Sequence, residues 1–172
     1  MKIPPVLLAF FLWSAIFSSA QIGKLKVGTA CVTVSPTVFP IQLRSGKSSF
    51  VHDPLHVRAV AFENGKGRAV ICLIDAIGIG REMSDIAKSK AAKRTGWKTE
   101  EMLICATHTH SAPKGGTGMP GREAYEKLKH DKLEEAIVLA IERLQLAKIG
   151  FSSEKEPSEV RNRRWFLQPG TM

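Results

Sequence analysis

The segment Ile104-Cys105-Ala106-Thr107-His108-Thr109-His110-Ser111-Ala112-Pro113 places two histidines two positions apart, where an apolar run gives way to a glycine-rich one. If a strand continues through Thr109, side chains alternate and His108 and His110 face the same side. Two imidazoles on one side suit a transition metal, commonly zinc. A hydrolytic zinc site takes three protein ligands and an open position, so His-x-His supplies at most two of them. The competing reading is a hydrogen-bonded histidine pair at a strand end, with no metal.

Asp75 closes the run Ile71-Cys72-Leu73-Ile74-Asp75 as His108 closes Ile104-Cys105-Ala106-Thr107-His108, so two polar residues end two apolar runs. Three roles suit Asp75: a metal ligand, a partner that orients an imidazole from behind, or a cap for the following turn; the last two are preferred. Gly115, Gly116, Gly118 and Gly121 punctuate a loop over 114–121, which is either a set of amides for an oxyanion or a plain connection. Cys72 and Cys105 sit inside the apolar runs in matching register and read as small buried residues rather than as nucleophiles, ligands or a bridge. His52, His56 and His130 have no partner in the sequence and read as surface or packing residues. The basic turn Arg161-Asn162-Arg163-Arg164 reads by charge alone as solvated.

The elements that must position these groups follow from periodicity. Residues 24–34 alternate loosely as a first strand, and a Pro- and Gly-punctuated loop continues to about Pro54. Residues 55–62 and 68–74 are strand-like and flank Asn64-Gly65, a hairpin signal. Residues 81–94 carry Met83, Ile86, Ala87, Lys90 by its stem and Ala91 at helical spacing, with Gly96 as the stop. A short strand over 102–107 then implies a crossover, making 68–75 and 102–108 parallel neighbours whose C-terminal ends share one edge. In open α/β sheets that edge is where ligands bind. Tyr125, Leu128, Leu133, Ala136, Ile137, Ala140, Ile141 and Leu144 trace the apolar stripe of a long amphipathic helix. Residues 147–152 and 159–166 are weaker strand candidates. The expected class is α/β: a mixed sheet with a βαβ crossover and a long amphipathic helix, as part of an incomplete domain.

At 172 residues with 44% hydrophobic content there is room for one domain with a real core. Residues 1–20 read as a cleaved signal peptide: Lys2 precedes the apolar run Val6 to Ile16, and Ser18-Ser19-Ala20 suits a peptidase site. That run is well short of the roughly twenty residues that span a bilayer. The expected destination is secreted or periplasmic, yet three cysteines without metal-type spacing exclude a disulfide scaffold. The net charge of +9 is spread at helical surface spacings and no nucleic-acid motif accompanies it. It leaves open a non-catalytic module that binds anionic lipid or polymer through its basic surface.

Several of these segments together resemble a family. Val27-Gly28-Thr29-Ala30, Val34-Ser35-Pro36, His52-Asp53-Pro54-Leu55-His56-Val57-Arg58-Ala59, Leu73-Ile74-Asp75, Ala106 to Pro113 and Asn162-Arg163-Arg164 come in the order seen at the start of neutral/alkaline non-lysosomal ceramidases. The resemblance implies a zinc-dependent amidase in which a metal-bound water attacks the N-acyl carbonyl of ceramide or a related lipid amide. It implies that His108 is a zinc ligand, that His110 is a second active-site histidine touching substrate or water, and that Arg163 lies near the substrate. A peripheral contact with a membrane surface goes with such a substrate. Ser111-Ala112-Pro113 stands where the family usually has Ser-Gly-Pro. The family's remaining ligands, a histidine, a glutamate and a tyrosine, fall beyond the region matched by Trp165. Residues 21–172 are therefore expected to be the N-terminal part of a ceramidase-like catalytic domain, inactive by itself.

Overall fold

The computed structural model describes residues 24–43, 46–65, 67–113 and 121–158. The expected signal peptide over 1–20, residues 114–120 of the glycine loop, Arg163 and the strand candidate 159–166 lie outside them. Along the chain come β1 (Lys26–Thr33), β2 (Ile41–Leu43), β3 (Gly46–Ser48), β4 (His56–Asn64), β5 (Gly67–Ile74), α1 (Arg81–Thr95), a 3-10 turn (Thr99–Glu101), β6 (Met102–Ala106), α2 (Arg122–Glu142) and β7 (Gln145–Leu146).

The hairpin of β4 and β5 forms the middle of the main sheet, whose order is β6-β5-β4-β1-β7. Every pairing is antiparallel except β5 with β6, the pair joined through α1. The fold is thus α/β with a mixed sheet and the expected crossover. On β4, Val57, Ala59 and Ala61 are buried while Arg58 between them is exposed, the period-2 alternation of a sheet with one covered face. Helix α2 lies across β1, β4 and β5, and α1 packs beside it. Alanines at the contact (Ala87, Ala91, Ala136, Ala140) let these layers approach closely around Val57, Val70, Cys72, Ile74, Leu133 and Ile137. Gly28 of β1 shows how tight the fit is: a Cβ there would run into the Ala140 carbonyl oxygen and lie 2.8 Å from the Arg143 carbonyl carbon. Helix α1 stops at Gly96, which is left-handed at φ 71° and donates its N–H to the Ala92 carbonyl.

The structure departs from the sequence reading in four places. The expected loop before Pro54 contains the β2–β3 hairpin. The strand expected over 147–152 is instead the pair Gln145–Leu146, and Ala147 adds one further bond to the Leu25 carbonyl. Ile86 is exposed, because the buried stripe of α1 narrows to Ala87 and Ala91. The turn between β4 and β5 begins one residue later than Asn64-Gly65: Asn64 pairs with Gly67, and the left-handed position falls on Gly65 at φ 62°. No helix among the described residues is long and apolar enough to cross a membrane.

Candidate functional site

The C-terminal ends of β5 and β6 carry the site, one register step away from the sequence expectation. Cys72 pairs with Ile104 and Ile74 with Ala106, so the Thr107 N–H continues the ladder to the Ile74 carbonyl at 3.0 Å, and His108 lies one position further out. A single step reverses the side a residue faces. Cys72 is accordingly fully buried under the helices, whereas Cys105 sits half-buried on the opposite face with its Sγ 3.7 Å from the Cys72 carbonyl oxygen. Both thiols are free, as is Cys31. Burial, with the neighbouring Cys105 adding to it, pushes the Cys72 thiol up to about 12, so it is inert at neutral pH.

The strand does not continue through Thr109. It ends at Ala106, and His108 turns into the left-handed region at φ 61°, the sole non-glycine among the described residues to do so. That turn aims the His108 ring back at the loop after β5, where its Nδ1 is 2.7 Å from the Ile77 carbonyl oxygen. A carbonyl can only accept, so Nδ1 carries the proton and the lone pair is left on Nε2. Both histidines are exposed, and their rings meet edge to face with centroids 5.2 Å apart. The two rings meet through a backbone kink and not through the strand alternation expected from the sequence.

Asp75 orients neither of these rings. Its Oδ2 accepts from the His56 N–H at 2.9 Å and from Arg58 Nη1 at 2.9 Å, while His56 Nδ1 stands 3.2 Å from Arg58 Nη2. The His56 imidazole is itself 4.0 Å from the carboxylate. Asp75 therefore fastens the end of β5 to β4, and the partner that fixes His108 is the main chain at Ile77. The sequence reading leaves His56 without a partner and gives Arg58 no role, whereas the structure sets both beside Asp75. Their i, i+2 spacing on a strand facing Asp75 was the available signal, whereas a backbone carbonyl such as that of Ile77 leaves none.

Two cavities flank the segment 107–113, and neither is lined by His108 or His110. One, of about 540 Å³, is walled by Phe39, Ile41, Leu43, Phe50 and Leu55 and reaches Asp75, Thr109 and Ser111. The β2–β3 hairpin forms part of this wall and is tied to the histidine segment by a bridge between Leu43 and Pro113. The other, of about 890 Å³, lies on the helix side and includes Ile77, Pro113 and residues of both helices. Gly121 starts α2 in a left-handed conformation at φ 75°, with Val38 packed so close that a Cβ would lie 2.6 Å from its own. Among the described residues no group of three or more His, Cys, Asp or Glu side chains is arranged to hold a metal.

No protein-family model and no curated protein matches the sequence. Among solved structures, the crystal structure of neutral ceramidase from Pseudomonas aeruginosa superposes with a TM-score of 0.64 at 19% identity, over 72% of this chain and 22% of that one. A ceramidase complexed with C2 gives 0.63 at 18% identity over the same shares. The fold is ceramidase-like. The chain spans 22% of the length of either ceramidase.

Several basic residues of the two helices are ion-paired. Lys90 and Arg94 of α1 reach Glu134 of α2 at 3.9 and 3.2 Å, Lys127 pairs with Asp131, and Lys132 pairs with Glu135 at 2.7 Å. These pairs tie helix to helix and turn to turn.

Proposed function

We propose that this chain is the N-terminal part of a secreted, zinc-dependent amidohydrolase of the neutral-ceramidase type, which hydrolyses the N-acyl amide of ceramide or a related lipid. The observation that carries the reading is the His108 geometry on a ceramidase-like fold: an exposed imidazole at the ligand-binding edge, with Nδ1 committed to the Ile77 carbonyl and Nε2 presented outward. That tautomer leaves Nε2 able to ligate a metal, so the residue fits zinc as one member of a larger donor set.

In this reading His108 holds the ion, and zinc when bound supplies Lewis acidity and an activated water. His110, whose ring stands 5.2 Å from that of His108, exchanges a proton with the reacting groups. Arg163 binds a polar group of the substrate. The apolar cavity beside Thr109 and Ser111 takes an alkyl chain of the lipid, which accounts for phenylalanine and leucine side chains next to polar chemistry. Asp75 acts at one remove, by holding the edge of the sheet. The signal segment directs export, and contact with a membrane surface follows from the substrate.

The test is made on the complete protein encoded by the reading frame that contains these residues. Zinc content by mass spectrometry and release of a fluorescent fatty acid from N-acyl sphingosine are measured for the parent, His108→Ala and His110→Ala. Both variants are expected to lose at least a hundredfold in turnover, with zinc lost only from His108→Ala. Stoichiometric zinc in His108→Ala, or no hydrolysis of any N-acyl lipid by a zinc-loaded parent, refutes the reading.

A further inference from the structure

The smaller cavity, walled by Phe39, Ile41, Leu43, Phe50 and Leu55, has a polar end that an alkyl chain alone does not use. That end holds Asp75, Thr109 and Ser111. Besides fastening β5 to β4, the Asp75 side chain keeps 15% of its surface exposed and lines this space. The bonds it accepts from the His56 N–H and from Arg58 Nη1 both fall on Oδ2. A carboxylate has about four acceptor positions, and none of the described residues donates to Oδ1.

The neighbouring groups decide what such an acceptor takes. Arg58 already matches the Asp75 charge at 2.9 Å, so a second cation gains little there, and a ligand carboxylate meets a like charge. The remaining charged residues of the lining, His52 and Asp53, stand 3.1 Å from each other and are almost fully exposed, so they belong to the mouth. Thr109 and Ser111 each bring a hydroxyl that can donate, and Thr109 Oγ1 already accepts from the Ser111 N–H at 3.3 Å. A group that donates to Asp75 and accepts from Thr109 or Ser111 uses both kinds of partner. A neutral hydroxyl does this, whereas an ether lacks the proton and an ammonium lacks the lone pair. The volume of about 540 Å³ and the phenylalanine and leucine walls suit the chain that carries the hydroxyl.

We infer that this cavity binds an alkyl chain together with a hydroxyl on it, and that Asp75, by accepting from that hydroxyl, selects hydroxylated lipids over those without the group. The inference rests on the hydrolase reading only for naming that lipid as the N-acyl substrate. A site built to hydrogen-bond a hydroxyl discriminates against an analogue that lacks it, because its polar groups are then left without a partner.

Octanol is the probe, titrated calorimetrically into the complete protein after dialysis against a chelator, with octyl methyl ether and octylammonium as comparators. Saturable one-to-one binding of octanol is expected, at least tenfold tighter than either comparator. Asp75→Asn keeps an oxygen for His56 and Arg58 but turns an amide N–H toward the cavity, and should bring octanol to within twofold of the ether. Arg58→Met breaks the same clasp from outside the cavity and so controls for loosening of the sheet. In that variant the preference over the ether should survive, and octylammonium, now facing an unmatched carboxylate, should gain at least threefold. In the zinc-loaded protein, kcat/KM for N-acyl sphingosine should exceed that for an analogue lacking one of its hydroxyls by at least tenfold, and Asp75→Asn should erase the difference. Equal affinity for octanol and the ether, tighter binding of octylammonium by the parent, an Asp75→Asn protein that keeps the octanol preference, or analogues lacking either hydroxyl cleaved as fast as the parent lipid would each overturn the assignment. Octanol selectivity in a protein that cleaves no N-acyl lipid would instead refute the hydrolase reading and leave this site standing.

Discussion

His108 holds a left-handed backbone at φ 61°, and replacing it separates the backbone's demand from the imidazole's. A left-handed conformation costs a residue with a Cβ about 1–2 kcal/mol. The hydrogen bond to the Ile77 carbonyl returns about 0.5–1 kcal/mol, at the low end because the residue is exposed. His108→Ala keeps the backbone cost and loses the bond, so it should destabilise the chain by roughly that 0.5–1 kcal/mol. His108→Gly loses the same bond but relieves the backbone. Its gain is reduced by the extra freedom of glycine in the unfolded chain, about 0.4–1 kcal/mol. The glycine variant should therefore be more stable than the alanine variant by about 0.5–1 kcal/mol, with His108→Asn between them because asparagine tolerates this region. Urea unfolding followed by the fluorescence of Trp97, which is buried in the core cluster, reads these differences as midpoints at constant slope. An alanine variant as stable as the glycine one would show that position 108 carries no left-handed requirement, and the kink that turns the ring to Ile77 would fall with it.

Gly28→Ala should destabilise by about 2–3 kcal/mol in the same assay, because the new methyl meets backbone atoms of α2 and the following turn, which no rotamer change can move aside; a loss under 0.5 kcal/mol would contradict the close approach of β1 and α2. A thiol reagent should label Cys31 and Cys105 in the native chain at pH 8 and reach Cys72 only after unfolding, so rapid labelling of Cys72 would count against its burial. The hydrogen bond and charge of Lys26 hold the Glu63 carboxyl below its ordinary range, partly opposed by burial, with Arg68 adding a smaller lowering. A depressed carboxylate favours the fold above its unfolded pKa, and that contribution fades as pH falls through the folded one. Lys26→Met should therefore move the Glu63 titration, followed by carbon NMR, upward and flatten the acid loss of stability; an unmoved titration would refute the pairing. Asp75→Ala should lower the urea midpoint by the equivalent of about 1–2 kcal/mol, since it leaves the His56 N–H and Arg58 without their acceptor; a neutral substitution would show the clasp between β4 and β5 to be dispensable.

What was legible in the sequence follows from which forces act locally. The two long strands of the hairpin, the Gly96 stop and the stripe of α2 all declare themselves by periodicity, because each buries one face against a single partner layer. The β2–β3 hairpin is too short to show a period and is held by the Leu43–Pro113 bridge, a contact between distant segments. The strand expected at 147–152 failed for a related reason. Leu146, Ile149 and Phe151 look like strand residues but are exposed, and only Gln145 and Leu146 find the edge of β1.

Register explains the rest, and it links the small errors to the large one. A turn centred on Asn64-Gly65 would set Asp75 against Pro54, whereas the observed pairing of Asn64 with Gly67 sets it against His56. The true turn therefore creates the contact of Asp75 with the start of β4, which reading the histidines alone did not suggest. On the other side of β5, pairing Ile74 with Ala106 instead of aligning Asp75 with His108 leaves His108 beyond the ladder, free to turn left-handed. Had the strand run on through Thr109, His108 would have stayed in the ladder and its Nδ1 would not have been turned to the loop after β5. The same two histidines are therefore adjacent for a different reason than alternation: the sheet ends one residue early, and a carbonyl of the preceding loop selects which nitrogen of His108 faces out.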